Sequence, residues 1–117
     1  MSITSEIIGK LGGAGVDVIP VEGAASGPSG SSEVLATIDV PAGETWLVAA
    51  IGQTTAASNA TSSHPRLYLG EDLSARPSPG ETSGLTRVAT EPISLSIKRA
   101  TGSGVDSFTG HVYTVKL

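Results

Sequence analysis

The chain contains no cysteine, which removes disulfides, thiolate metal sites, iron–sulfur clusters and a cysteine nucleophile together. A small domain without such staples gains its durability from packing or from oligomerisation, and the absence suits synthesis in a cytoplasm. Aromatic residues make up only 3% of the 117 positions, too few for a stacking platform of several exposed rings. Charged residues stand at 15%, below the usual quarter, and Gly, Ser, Thr and Ala fill the gap. That mixture suits short strands and many turns. The formal net charge of −4 repels phosphate backbones, so nucleic acid is not an expected partner. No apolar run approaches the length of a membrane span, and the first residues lack the regions of a signal peptide. A membrane partner is not expected either.

What is present reads as strands and turns after one short helix. Ile3, Ile7, Ile8 and Leu11 fall on one side at helical spacing, with Ser2 as N-cap and Gly12, Gly13 and Gly15 as the stop. A helix of this length needs a surface to lie on, either its own domain or a neighbouring subunit. We take these four residues as candidate partner-binding residues. Val16 to Val21 reads as an edge strand, because Pro20 cannot donate to a ladder. Residues 24–32, rich in Gly and Ser, read as a flexible loop. The expected organisation is therefore a helical arm over 1–15, an edge strand and loop over 16–32, and a β-body over 33–117.

Within the body, residues 33–40 alternate, Pro41-Ala42-Gly43 makes a turn, and residues 45–51 are apolar on both faces. A strand of that kind is central, and one of its faces needs a cover. Trp46, Val48 and Ala50 are accordingly the candidate subunit interface. Residues 52–63 read as a long polar loop, 66–69 as a short strand, and 75–84 as a proline- and glycine-rich connection. Ile93-Ser94-Leu95-Ser96-Ile97-Lys98 alternates strictly, and the last strand runs over 108–117. Trp46, Leu47, Val48, Ile51, Leu95, Ile97 and Val112 form the expected core. Six or so strands with no second helix predict an all-β fold, a single antiparallel β-sandwich or jelly roll with a short N-terminal arm.

Catalytic patterns are missing from this sequence. Ser26-Gly27-Pro28-Ser29-Gly30 lacks the spacing of a nucleophile elbow, and Gly9-Lys10 lacks a phosphate-binding loop. His64 and His111 could meet Asp39, Asp72 or Asp106 only through the fold, and surface groups of this kind are usually just solvated. Glu71-Asp72 has no calcium-loop pattern around it and reads as a turn. No catalytic residue, metal ligand or cofactor is expected.

The segment Ile38-Asp39-Val40-Pro41-Ala42-Gly43-Glu44-Thr45-Trp46-Leu47-Val48 resembles a stretch in small tailed-phage head and tail accessory proteins. There a strand ends in Val-Pro-Ala-Gly and re-enters the sheet as an apolar strand. Phe108-Thr109-Gly110-His111-Val112-Tyr113 is similar to the closing strand of compact trimeric jelly-roll virion domains. The resemblance implies a virion structural protein, of decoration or fibre type, that self-associates, as a trimer on this likeness, and attaches to a major capsid or tail protein. It carries no site residue across. The competing expectations are a receptor- or glycan-binding module at a fibre tip and, behind it, a small β-scaffold enzyme.

Overall fold

The structure, a computed structural model, describes residues 16–28, 30–56, 64–100 and 104–117. The expected helical arm with Ile3, Ile7, Ile8 and Leu11 lies outside these residues. So does most of the loop expected over 52–63.

Eight strands follow in order: β1 (Asp17–Gly27), β2 (Ser32–Ile38), β3 (Trp46–Thr55), β4 (Arg66–Leu69), β5 (Leu73–Ala75), β6 (Ser83–Ala89), β7 (Ile93–Lys98) and β8 (Gly104–Lys116). They form two antiparallel four-stranded sheets, ordered β1-β8-β3-β6 and β2-β7-β4-β5. The pairs β4·β5, β3·β6, β2·β7 and β1·β8 nest inside one another like the rungs of one long hairpin. Successive rungs fall in alternate sheets, and the roll is closed by β3·β8 and β4·β7. This is the jelly-roll form of the β-sandwich.

The core lies between the sheets and follows the period-two alternation of strands. Val48 and Ala50 from β3, Phe108 and Val112 from β8, Leu67 and Leu69 from β4, and Leu95 and Ile97 from β7 are all at most 2% exposed. Phe108, the only phenylalanine, finds room because two glycines face it. Gly52 and Gly110 are register partners, and a Cβ at either would come within 2.7 to 2.8 Å of the Phe108 ring tip. Bare backbone at both positions lets the ring lie flat on the sheet.

The expected Pro41–Gly43 turn is present. Glu44 N–H donates to the Pro41 carbonyl at 3.1 Å, and Gly43 sits at φ 83°, a region that glycine enters without steric cost. Pro20 does lie on an edge strand, since β1 pairs only with β8.

Several expectations need correction. Residues 24–27 are not part of a loop, because β1 stays in register with β8 from Asp17 to Gly27. At Gly23, just before them, a Cβ would meet Leu35 Cδ2 at 2.6 Å. Thus β1 belongs to the body and no boundary falls between it and residue 33. Strand β3 also runs on to Thr55, because Gly52 and Thr54 still face inward. Strand β6 was not anticipated at all, and β8 starts four residues early, at Gly104.

One buried ion pair joins the sheets at their far end. Arg99, just past β7, is 2% exposed and donates from Nε to Asp106 Oδ2 of β8 at 3.2 Å. Its Nη1 also donates to the Gly27 carbonyl at the end of β1. Its backbone N–H donates to Ser31 O at 2.8 Å, and its own carbonyl accepts from Gly30 N–H. One residue thus fastens the ends of β1, β7 and β8.

Candidate functional site

The two inner faces are spent on the core, so any working surface lies on the outer faces, the rims or the clefts. On the first sheet, register places Val115, Leu47 and Val88 in one outward row. Val18, Tyr113, Ala49 and Thr86 make the next, and Pro20, His111, Ile51 and Gly84 the third. Val18 and Val88 at the two flanks are 48% and 53% exposed. Leu47, Ile51 and Tyr113 are half-buried. Beyond Gly52 and Gly110 the same face turns polar, with Gln53, Thr55, Ser107 and Thr109, apart from exposed Val105 near the start of β8. Half of this outer face is therefore an apolar patch at the end where β1 begins.

The second sheet is built oppositely. Its outward positions include Thr37, Ser94, Ser96 and Ser74, with Val34 the one large exposed hydrophobic among them. Arg66 of β4 is the register partner of Lys98 of β7. Together with Arg76 and Tyr68 they line a shallow hollow. None of these three cations is in an ion pair among the described residues. Three of the chain's seven basic residues thus gather on one spot of an acidic protein. The three are far apart in sequence and are brought together by the pairing of β4 with β7 and with β5.

Trp46 lies on the inner face at the end of β3, half-buried, with Nε1 donating to Glu44 Oε1 at 2.8 Å. Val48 and Ala50 are enclosed between the sheets of their own chain at 0% and 2% exposure. They therefore offer nothing to a neighbour. Of the outward residues of the same strand, Leu47 and Ile51 are half-buried and Ala49 is 0% exposed. The strand is central and apolar on both sides as expected, but the face assignment was one residue out of phase. Leu47 and Ile51, expected in the core, are on that outer face for the same reason.

The two histidines lie on different sheets. His111 is outward on the first sheet, 6.2 Å from Tyr113 between ring centroids, while His64 precedes β4 of the second. Asp106 is held by Arg99 and Asp72 by Arg87, with Asp72 Oδ1 accepting from Arg87 Nη1 at 2.5 Å. That hydrogen bond, with the guanidinium charge, holds the Asp72 carboxyl below its ordinary value. Arg87 Nη1 also donates to Leu69 O at 3.1 Å, so β6 of one sheet is tied to the β4–β5 turn of the other. Gly70 makes that contact feasible, as a Cβ there would meet Nη1 at 2.8 Å. Glu71 and Asp72 are in a turn, as expected.

An open cleft of about 610 Å³ beside this joint is lined by Asp72, Arg87, Glu91 and Pro92 among others. Among the described residues no group of three or more His, Asp or Glu is arranged to hold a metal ion. No helix among them is long and apolar enough to cross a membrane.

The fold and its faces define a jelly-roll β-sandwich with two outer surfaces of unlike chemistry. No family model, curated protein or solved structure matches the chain.

Proposed function

We propose that this chain is a non-enzymatic structural protein of a tailed-phage particle. It is a capsid decoration protein, or a small head or tail accessory protein, that self-associates and attaches to a major capsid or tail protein. The observation that carries the reading is the pair of unlike outer faces on a cysteine-free jelly roll. The apolar half-face of the first sheet, flanked by exposed Val18 and Val88, suits contact between copies. The hollow of Arg66, Arg76 and Lys98 on the second suits an acidic partner surface.

Jelly rolls serve viral shells, lectins and cupins alike, so topology alone does not choose among them. A receptor- or glycan-binding module is the second reading, favoured by Tyr68 standing among three cations in that hollow. It calls for an acidic sugar. The test is the composition of purified particles by mass spectrometry. Many copies per particle, retained after washing in high salt, would support the structural role. Absence from particles would remove it.

A further inference from the structure

The second sheet carries three positive charges side by side. Lys98 and Arg66 are register partners on β7 and β4. Leu67 pairs with Ala75, so Arg76, the next residue after β5, falls opposite Arg66 on its other side. The three therefore form one row across the strands, with neighbours about 4.8 Å apart and a total length of about 10 Å. Like charges set directly opposite one another in a sheet destabilise it. Nothing in the hollow offsets that cost. Its lining holds no Asp or Glu, and none of the three side chains is in an ion pair among the described residues. The next row, with Tyr68 between Ser74 and Ser96, is neutral.

Arg66 is the anchored member of the row. Its Nη1 donates to Ser74 Oγ at 3.1 Å and the residue is half-buried, whereas Lys98 and Arg76 are exposed. A guanidinium fork of this kind matches a carboxylate through two parallel hydrogen bonds. The acids of the same sheet stand at its opposite end. Glu71 and Asp72 occupy the β4–β5 turn, and Glu91 lies in the connection from β6 to β7. From Arg66 to Leu69 alone is about 10 Å along the strand, and that turn lies beyond it. The Debye length at physiological salt is about 8 Å. An acidic group at the hollow is therefore screened from those acids and meets the three cations, although the whole chain carries a net charge of −4.

We propose that this row binds an acidic segment of a partner protein, an extended stretch with carboxylates at alternate positions. Alternate side chains of an extended chain share one side and stand about 6.6 Å apart. Two or three of them match a row of about 10 Å once the reach of the Arg and Lys side chains is added. Clustered arginines read acidic motifs in this manner. A glycan has only the single half-buried ring of Tyr68 to stack on, whereas carboxylates have the whole row. Such a segment gives a chemistry to the capsid or tail partner proposed above, a reading on which its biological setting rests. The apolar half-face of the first sheet is on the other side of the sandwich and stays open to contact between copies.

The probe is a fluorescent peptide of alternating Glu and Ser, titrated with the full chain at low salt and followed by anisotropy. Binding is expected, and it should weaken about tenfold when Arg66→Ser, Arg76→Ser and Lys98→Ser are combined, as three surface charge pairs are lost. A thermal melt reports whether that variant is folded. Should it not fold, Arg76→Ser with Lys98→Ser, both at exposed positions, replaces it, with a several-fold loss expected. No binding by the natural chain would overturn the proposal, as would equal binding by the folded variant. A uronic-acid oligosaccharide with the same number of carboxylates is titrated alongside, so that charge alone does not decide. Weaker binding of the sugar supports the peptide, and equal or tighter binding would overturn it in favour of a glycan. Particle composition is measured separately. A chain present in particles whose hollow ignores the peptide keeps the attachment reading and loses this site, while absence from particles removes the attachment reading and leaves the peptide titration to decide the site.

Discussion

The two sheets share one core and differ completely on their outsides. The inner sides are interchangeable in kind: Val48, Ala50, Phe108 and Val112 on one, Leu67, Leu69, Leu95 and Ile97 on the other. The outer side of the first carries Leu47, Ala49, Ile51, Val18 and Val88, and that of the second carries Ser94, Ser96, Thr37, Arg66 and Lys98. A free sandwich would be expected to look like the second sheet on both sides, polar outside and apolar inside. The first sheet departs from that pattern over half its area only. The inner faces carry the main core, while Ala49 and Val115 of the first sheet's outer side are also buried.

The comparison should vanish at the shared joint. Asp106→Ala leaves the buried Arg99 guanidinium without its carboxylate, and breaking such a pair costs about 3–5 kcal/mol. Because Arg99 fastens β1, β7 and β8, both sheets should melt in one transition, followed by chemical denaturation. Separate transitions for the two sheets would break the account. The inner faces should also respond alike. Leu95→Ala on the second sheet and Val112→Ala on the first should both lower stability, the leucine change by about 2–5 kcal/mol.

How much of this was legible in the sequence depends on what each residue's side chain could signal. The strict alternation over 93–98 gave β7, and residues 45–51 gave a central strand. Strand β6 alternates too, with Leu85 and Ala89 inward, but Arg87 occupies the inward position between them and hides the period. The C-terminal half of β1 looked like a linker because Gly23, Ser26 and Gly27 carry no apolar signal, and the close approach of Leu35 to Gly23 is revealed only by the fold. The apolar surface was legible as an excess of hydrophobic residues, with its phase wrong by one. The basic hollow was not legible, as Arg66, Arg76 and Lys98 are far apart in sequence and meet through strand pairing.

On the outer faces the expected effects are smaller and of unlike kind. Arg66→Ser, Arg76→Ser and Lys98→Ser together should abolish low-salt retention on an immobilised sulfated polysaccharide. Val18→Glu with Val88→Glu should leave that retention in place. Equal loss in both variants would mean that the hollow is not a separate surface.

The smallest effect belongs to Asp72. Its folded-state pKa is depressed by the hydrogen bond from Arg87, so its contribution is complete above the unfolded value and fades as pH falls through the folded one. That window lies below about pH 4. Asp72→Asn should flatten the acid limb of the stability curve there and change little at pH 7, since the side chain is 78% exposed. A large loss at neutral pH would give the Asp72–Arg87 tie more weight than its exposure allows.

The claim that the first sheet's side is an assembly surface is tested most directly by light scattering on the full chain at rising concentration. The natural chain and the Val18→Glu, Val88→Glu variant are compared. The account predicts that the natural chain reaches a multiple of its 11.7 kDa mass while the variant stays at one copy. The same mass for both across the whole range, single or multiple, would contradict it.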